Sequence, residues 1–243
     1  MLPAIEACEG AAARSRLGRN LAFGMLDNLG RRIVAGAYGK TGFTTEGELA
    51  RDYGVSRAVT REAVKMLAAK GLLDARPRQG VAIQPARSWN MLDPDVLHWL
   101  LGQDSPHKVL LQFGQLRLAV EPEAAFLGAR YATDDSLDRI SRVLVRMEAA
   151  ATIHDLIEAK IAFHAAVLRA SGNALFAQFE DLVMDAQRSS ARLMTDLTEA
   201  VKSTSLHRAV CGAIRAGDPQ AARAGMRDVV QEELAALASA DTR

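Results

Sequence analysis

The sequence predicts a mainly α protein in two parts: a helix-turn-helix unit carrying a small β wing, then an antiparallel bundle made only of helices. Three observations lead there. Between Thr45 and Ile83, two amphipathic segments meet at Gly54 and are followed by a pair of short strand-like runs. From Ser105 onward the breaks in the pattern, at Pro106, Thr133, His154, Gly172, Ser203 and Pro219, are all helix boundaries, and no strand pattern competes. Charge divides along the same line: residues 14–87 carry 14 Lys and Arg against 6 Asp and Glu, whereas residues 88–243 carry 16 against 21. A basic module joined to an acidic one is the footprint of a nucleic-acid reader attached to a part that stays off the nucleic acid.

Residues 1–16 are alanine-rich and aperiodic, which predicts a frayed tail. The DNA-binding part is expected over 17–84. Leu21, Met25, Leu26, Leu29 and Ile33 recur at helical spacing and predict a first helix from Leu17 to Ala37, stopped by the glycines through Gly42. Thr45 and Glu48 make a capping-box pattern that starts a second helix over 46–53, and Gly54 allows a sharp turn. From Val55 to Gly71 a third helix buries Val59, Ala63, Met66 and Leu67, while Arg57 and Arg61, four residues apart, share another face near its start. Two guanidinium forks leaving a packed helix suit the major groove, where arginine pairs bidentately with guanine, and the helix start with Ser56 can meet phosphate. On this stretch alone a surface helix with solvated arginines reads equally well. Its surroundings favour the reader, because Leu72 to Ile83 forms two strands joined by a basic turn holding Arg76, Arg78 and Gly80, a wing.

Residues 85–104 read as a linker and docking helix, with Asp93 as cap, Pro94 at the first position, and Val96, Leu97, Leu100 and Leu101 on its apolar side. Trp89 and Trp99, the only tryptophans, are expected to anchor the reader to the second part. The second part, 105–243, is expected to hold helices near 106–131, 134–151, 154–170, 174–195, 204–216 and 219–238. With the docking helix this makes a bundle of about seven. No stretch approaches the ~20 apolar residues of a membrane span and residues 1–20 lack a signal-peptide core, so a cytoplasmic location is expected. Cys8 and Cys211 suit a reducing compartment.

The run from Leu26 to Ile83 resembles the winged helix of GntR-type bacterial transcription regulators, above all in Gly54, Val55, Ser56 and Arg57, in Thr60 to Val64, and in Gly71, Leu72 and Gly80. The resemblance implies DNA contacts by Ser56, Arg57, Ala58, Thr60 and Arg61 on the third helix and by Gln79 and Gly80 in the wing. Many members carry a basic residue where Gly47 stands. One phosphate contact is therefore expected to be missing, with Arg51, Arg76 and Arg78 supplying charge instead. The second half looks like the effector (FCD) domain of the FadR-like subgroup, in Arg117 and Glu121, Phe163 and His164, Ala170 to Asn173, and His207 to Asp218. That likeness implies an antiparallel bundle around a small-molecule pocket, often built on a metal ion. Trp89 to Trp99 is similar to the linker of galactonate-responsive repressors.

Members that bind metal use one Asp and three His. His164 and His207 match two of those positions, while Lys160 stands at the Asp position and Val229 at the last His. Two imidazoles beside an ammonium make a poor cage. No cofactor is therefore expected to be required, and a divalent metal on His164 and His207 is the alternative. His164 continues the apolar row Ile157, Ile161 and Leu168, and His207 neighbours Val210, Cys211 and Ile214, so both should point inward. Lys160 and Arg117 are then expected to hold an effector carboxylate as a point charge and a bidentate fork. His164, His207, Asn173 and Arg188 would be its hydroxyl partners. Plainer uses stand beside these: Arg117 and Glu121 as a surface i,i+4 pair, Asn173 as a helix cap, Lys160 snorkelling to water.

The function expected is a homodimeric, non-enzymatic transcription regulator that reads a short inverted repeat in double-stranded DNA. It would repress a sugar-acid operon, for an aldonate such as galactonate, and be released by a carboxylate effector. The rivals are a small helical metalloenzyme on His164 and His207, which lacks a third ligand and a general base, and an architectural DNA binder, which leaves the pocket unexplained.

Overall fold

A computed structural model of the chain describes residues 20–38, 43–76, 80–191 and 204–240. The chain divides into two compact units, 1–103 and 104–243. The stretch read as linker and docking helix therefore closes the first unit.

In the first unit, helix α1 (20–34) buries Ala22, Met25, Leu26, Leu29 and Ile33. Strand β1 (Phe43–Thr44) leads into α2 (Glu46–Asp52), whose N-cap Thr45 and Glu48 form the reciprocal capping box that their spacing suggests. Gly54, at φ +62°, turns the chain into α3 (Arg57–Ala69). Strands β2 (Leu73–Arg76) and β3 (Gly80–Ile83) pair antiparallel, with Leu73 opposite Ile83 and Arg76 opposite Gly80. The sheet has the order β1-β3-β2. Its outer strand β1 was not expected, because two residues carry no readable period.

After one 3₁₀ turn, Ala86–Ser88, comes α4 (Pro94–Leu101), capped by Asp93. Trp99 is buried on α1, where its ring lies 2.5 Å from the place a Cβ on Gly30 would take. Its indole N–H donates to Asp27 at 2.8 Å, and that of Trp89 donates to the Gln84 carbonyl at 2.9 Å. Both rings thus serve the core of the first unit, shared with Leu49, Val64, Leu67, Leu72 and Val81. Lys70 closes this end through Asp93 and Asp95, each at 2.8 Å.

The second unit holds α5 (His107–Tyr131), α6 (Asp134–Glu148), α7 (Ile153–Ala170), α8 (Ala174–Gln178), α9 (Glu180–Ala191), α10 (Thr204–Arg215) and α11 (Pro219–Ala240). Thr133, Thr152 and Asn173 cap α6, α7 and α8 with their side chains. The single helix expected over 174–195 is two, because the Phe179 N–H turns back to Phe176 and a new helix starts; residues 192–195 lie outside the described residues.

Helix α5 packs on α11, α7, α9 and α10, and α7 packs on α6 and α9. The α5–α11 contact is close: a Cβ on Gly114 would stand 2.4 Å from Leu234 Cδ2. Phe163 is fully buried, as are or nearly are Leu156, Ile161, Leu168, Val210 and Met226, and its ring meets that of His207 edge to face at 5.1 Å. Among the described residues, no helix is long and apolar enough to cross a membrane.

Candidate functional site

Two places collect the residues singled out above. The first is the start of α3. Ser56 caps it, its hydroxyl accepting from the Val59 N–H at 3.3 Å, and Arg57, Ala58 and Arg61 are exposed on its opening turns. Arg61 is drawn toward α2 by Glu46, at 3.3 Å. Arg51 is exposed on α2, with its Nε 3.4 Å from the Gly47 carbonyl.

Thr60 corrects the expectation. It is fully buried, in the inward stripe with Ala63, Val64 and Leu67, and its hydroxyl donates to the Ser56 carbonyl at 3.2 Å, so it reaches no base edge. Arg76 ends β2 opposite Gly80, whose φ of +91° closes the wing turn. The Arg76 side chain and the whole of Arg78 and Gln79 lie outside the described residues.

The second place is a buried charged cluster where α5, α7, α9, α10 and α11 meet. Arg117 and Glu121 sit one turn apart on α5, and Lys160 and His164 one turn apart on α7. His207 comes from α10, Glu233 from α11 and Gln187 from α9. Arg117 Nε donates to Glu121 at 2.6 Å and its Nη1 to Glu233 at 2.7 Å. His164 Nδ1 lies 2.5 Å from Glu121, and its Nε2 lies 3.4 Å from Glu233. The two imidazole rings stand edge to face at 5.5 Å. Gln187 extends its amide nitrogen to Glu233 at 3.5 Å, leaving its own buried oxygen without a hydrogen-bond partner among the described residues.

Protonation follows from this packing. Burial opposes charge on Glu121, but Arg117 and His164 outweigh it and lower its pKa to about 2. The same contest leaves Glu233 well below the usual carboxylate range. Burial works against a charged His164 too, yet Glu121 and Glu233 hold its pKa above the usual value. Lys160 goes the other way: burial pulls its pKa down, and Glu233 and Glu232 offset only part of that.

Arg117, Lys160, His164 and His207 are therefore brought together, but two of their expected roles change. Arg117 does not offer a free fork, since its edges already serve two carboxylates, and its pair with Glu121 is buried instead of superficial. Lys160 does not snorkel; it is 8% exposed. Asn173 and Arg188 do not join the cluster. Asn173 caps α8 through its side-chain oxygen, 2.9 Å from the Leu175 N–H, and exposed Arg188 pairs with Glu158 at 3.1 Å.

Glu233 was not foreseen. The signal was present in Ala222, Met226, Val229 and Val230, a stripe that Glu233 continues by one turn beyond the position expected of a histidine. With it, His164, His207 and Glu233 place one ligand atom each within 4.8 Å of one another, so the expectation of only two ligands is corrected. Glu121 holds His164 by Nδ1 and turns Nε2 toward Glu233, the arrangement by which a carboxylate orients a metal-ligating histidine. Two imidazoles and a carboxylate fit a divalent cation as a donor set. Arg117, whose Nη2 is 3.5 Å from His164 Nε2, and Lys160 are resident cations that compete for the same carboxylates.

Residues 26–83 match the gntR family of bacterial regulatory proteins, and residues 112–232 match the FCD domain. The chain is 31% identical over 208 residues to the uncharacterised HTH-type transcriptional regulator YieP of Escherichia coli K12, covering 84% of this chain and 90% of that one. It is 32% identical over 198 residues to the galactonate operon transcriptional repressor of the same organism, covering 80% and 86%. Among solved structures it is similar to a GntR protein of Streptococcus agalactiae, at 26% identity and a TM-score of 0.50 over 88% of this chain and 99% of that one.

Proposed function

From a chain that belongs to the GntR family of bacterial transcription regulators and carries an FCD domain, we propose a repressor of a sugar-acid catabolic operon that a hydroxylated carboxylate releases. That it is a DNA-binding transcription regulator and not an enzyme follows from the family. The effector class is supported by the buried cluster. Arg117 and Lys160 are set there against Glu121 and Glu233, with His164 biased toward its charged form, so an incoming carboxylate meets a site without surplus negative charge. Lys160, His164, His207 and the Gln187 amide would bind it and its hydroxyl groups, while Arg117 fixes the two glutamates. The relation to a galactonate repressor points to an aldonate. A homodimer reading an inverted repeat would lose about tenfold in operator affinity if the effector favoured the non-binding arrangement by ~1.4 kcal/mol.

A second reading is favoured by one observation, the convergence of Glu233 on both histidines. In it His164, His207 and Glu233 hold a divalent cation, and the cation supplies the positive charge for the carboxylate. Thermal shift on chelator-treated protein separates the two. Galactonate or a near aldonate at about 100 times its Kd should add ~2.7 kcal/mol to stability without metal, and Lys160→Met should abolish the effect. A shift seen only with added zinc or manganese selects the second reading. No shift with any carboxylate under either condition sinks the proposal.

A further inference from the structure

We propose that Gln187 makes the buried cluster selective for hydroxy acids: its side-chain oxygen accepts from a hydroxyl of the bound effector, and an acid with no donor at that place is turned away. The inference rests on the reading of this cluster as the effector site and adds to it the group that sets selectivity.

Gln187 is a polar residue in an apolar stripe. It shares one face of α9 with Leu182, Val183 and Ala186, all buried, and is itself 7% exposed. Helix α9 packs on α7 and α5, which carry Lys160, His164 and Arg117. A leucine at such a position has no polar atoms to satisfy, whereas an amide is destabilising for each buried group left unpaired.

Its neighbour orients the amide. Glu233 Oε2 accepts from Arg117 Nη1 at 2.7 Å, and the same oxygen faces the Gln187 amide at 3.5 Å. An ionised carboxylate only accepts, so the amide turns its nitrogen to Glu233 and its oxygen away. That oxygen is buried and has no hydrogen-bond partner among the described residues. Donors around it have other acceptors. The Ser190 hydroxyl donates to the Gln187 backbone carbonyl at 2.9 Å, and Arg117 Nε and Nη1 donate to Glu121 and Glu233.

Counting protons identifies what such an acceptor takes. A carboxylate, keto or ether oxygen brings no hydrogen, so the effector's own acid group cannot serve at pH 7. An ammonium donates but adds a positive charge where Arg117 and Lys160 already stand. A hydroxyl donates without charge. A site built around that bond rejects the analogue lacking the donor, because its own buried oxygen then stays unpaired.

The test is calorimetric titration of the full chain at pH 7, chelator-treated and again with zinc added. Its probes are D-galactonate or D-gluconate, whichever binds more tightly, and the deoxy and deoxyfluoro analogues of that acid at each hydroxyl in turn. Fluorine keeps the lone pairs of a hydroxyl and nearly its size but cannot donate. At one position the fluoro analogue should lose at least about tenfold in Kd and bind no better than the deoxy analogue, whereas a hydroxyl that only accepts gives the reverse order. In Gln187→Met, which keeps the length of the side chain, the loss at that position should fall below about threefold, a coupling that a glutamine serving only to pack helices would not show. Should Gln187→Met not fold, the native series decides alone.

Losses under about tenfold at every position, fluorine outbinding hydrogen wherever the loss is larger, or a loss that stays above about threefold in folded Gln187→Met overturn the inference and leave the sugar-acid reading standing. If neither acid binds with or without zinc, that reading fails and the inference fails with it.

Discussion

Arg117→Met removes the one guanidinium that stands between buried Glu121 and partly buried Glu233 while keeping the length of the side chain. Glu121 is 1% exposed and would be left facing Glu233 with only His164 between them. Two routes give the size of the loss. Breaking one partner out of a buried ion pair costs about 3–5 kcal/mol. Independently, lowering the Glu121 pKa from 4.5 to about 2 corresponds to roughly 3 kcal/mol of stabilisation at neutral pH, shared between Arg117 and His164. With a urea dependence of ~2 kcal/mol per molar, a loss of about 3 kcal/mol moves the unfolding midpoint down by roughly 1.5 M. The assay is urea unfolding at pH 7 followed by circular dichroism, run as a cycle with Glu121→Gln. The double variant should recover about 1–3 kcal/mol relative to the sum of the singles. A cost under ~0.5 kcal/mol for Arg117→Met would match an exposed i,i+4 pair and refute the buried-cluster reasoning.

Three further outcomes follow from the same geometry. Thr60→Val should leave duplex affinity within about twofold and lower stability by about 1 kcal/mol, since the Ser56 carbonyl still accepts from the backbone N–H of residue 60; a large loss of affinity in folded protein would return Thr60 to the DNA face. The cluster's contribution to stability should peak between about pH 4.5 and 6.5. Glu121, lowered, contributes fully above 4.5 and loses its contribution as pH falls toward about 2, whereas His164, raised, contributes fully below 6.5 and loses it as pH rises through its folded pKa. Glu121→Gln should flatten both limbs in urea midpoints measured across pH. Lys160→Asp exchanges a competing cation for a fourth donor one turn from His164 and should enlarge the rise in Tm on adding zinc; an unchanged rise would show that position 160 does not share the space of the three donors.

The readable parts of the sequence were those with a local cause. The capping box at Thr45, the Gly54 turn, the Pro94 start and the helix boundaries at Thr133 and Pro219 are set by chemistry within four residues, and the sequence marks them where the structure has them, to within a residue or two; the boundary read at His154 falls two residues after the Thr152 cap. Strand β1 was too short to show a period, and no proline, glycine or capping residue marks the break at Phe179.

In the cluster, His164 and His207 were visible as inward residues, but the partner of each charge was not. Whether Arg117 is free or sandwiched depends on Glu233, 116 residues away, and no spacing rule reaches that far. Thr60 shows the opposite error. A residue role carried over by likeness placed it on DNA, although its own helical stripe with Ala63, Val64 and Leu67 already turned it inward.

The seat of Leu234 against Gly114 gives the cluster a mechanical character. It lies next to Glu233 on α11 and one turn before Arg117 on α5, at a contact where a methyl group on Gly114 would require the Leu234 side chain to move. A notch of this kind resists ratcheting of one helix along the other, because each step would have to lift the leucine out. Pivoting about the notch needs no such lift. An event that changes which cation holds Glu233 would therefore act one residue from a point where α5 and α11 interlock.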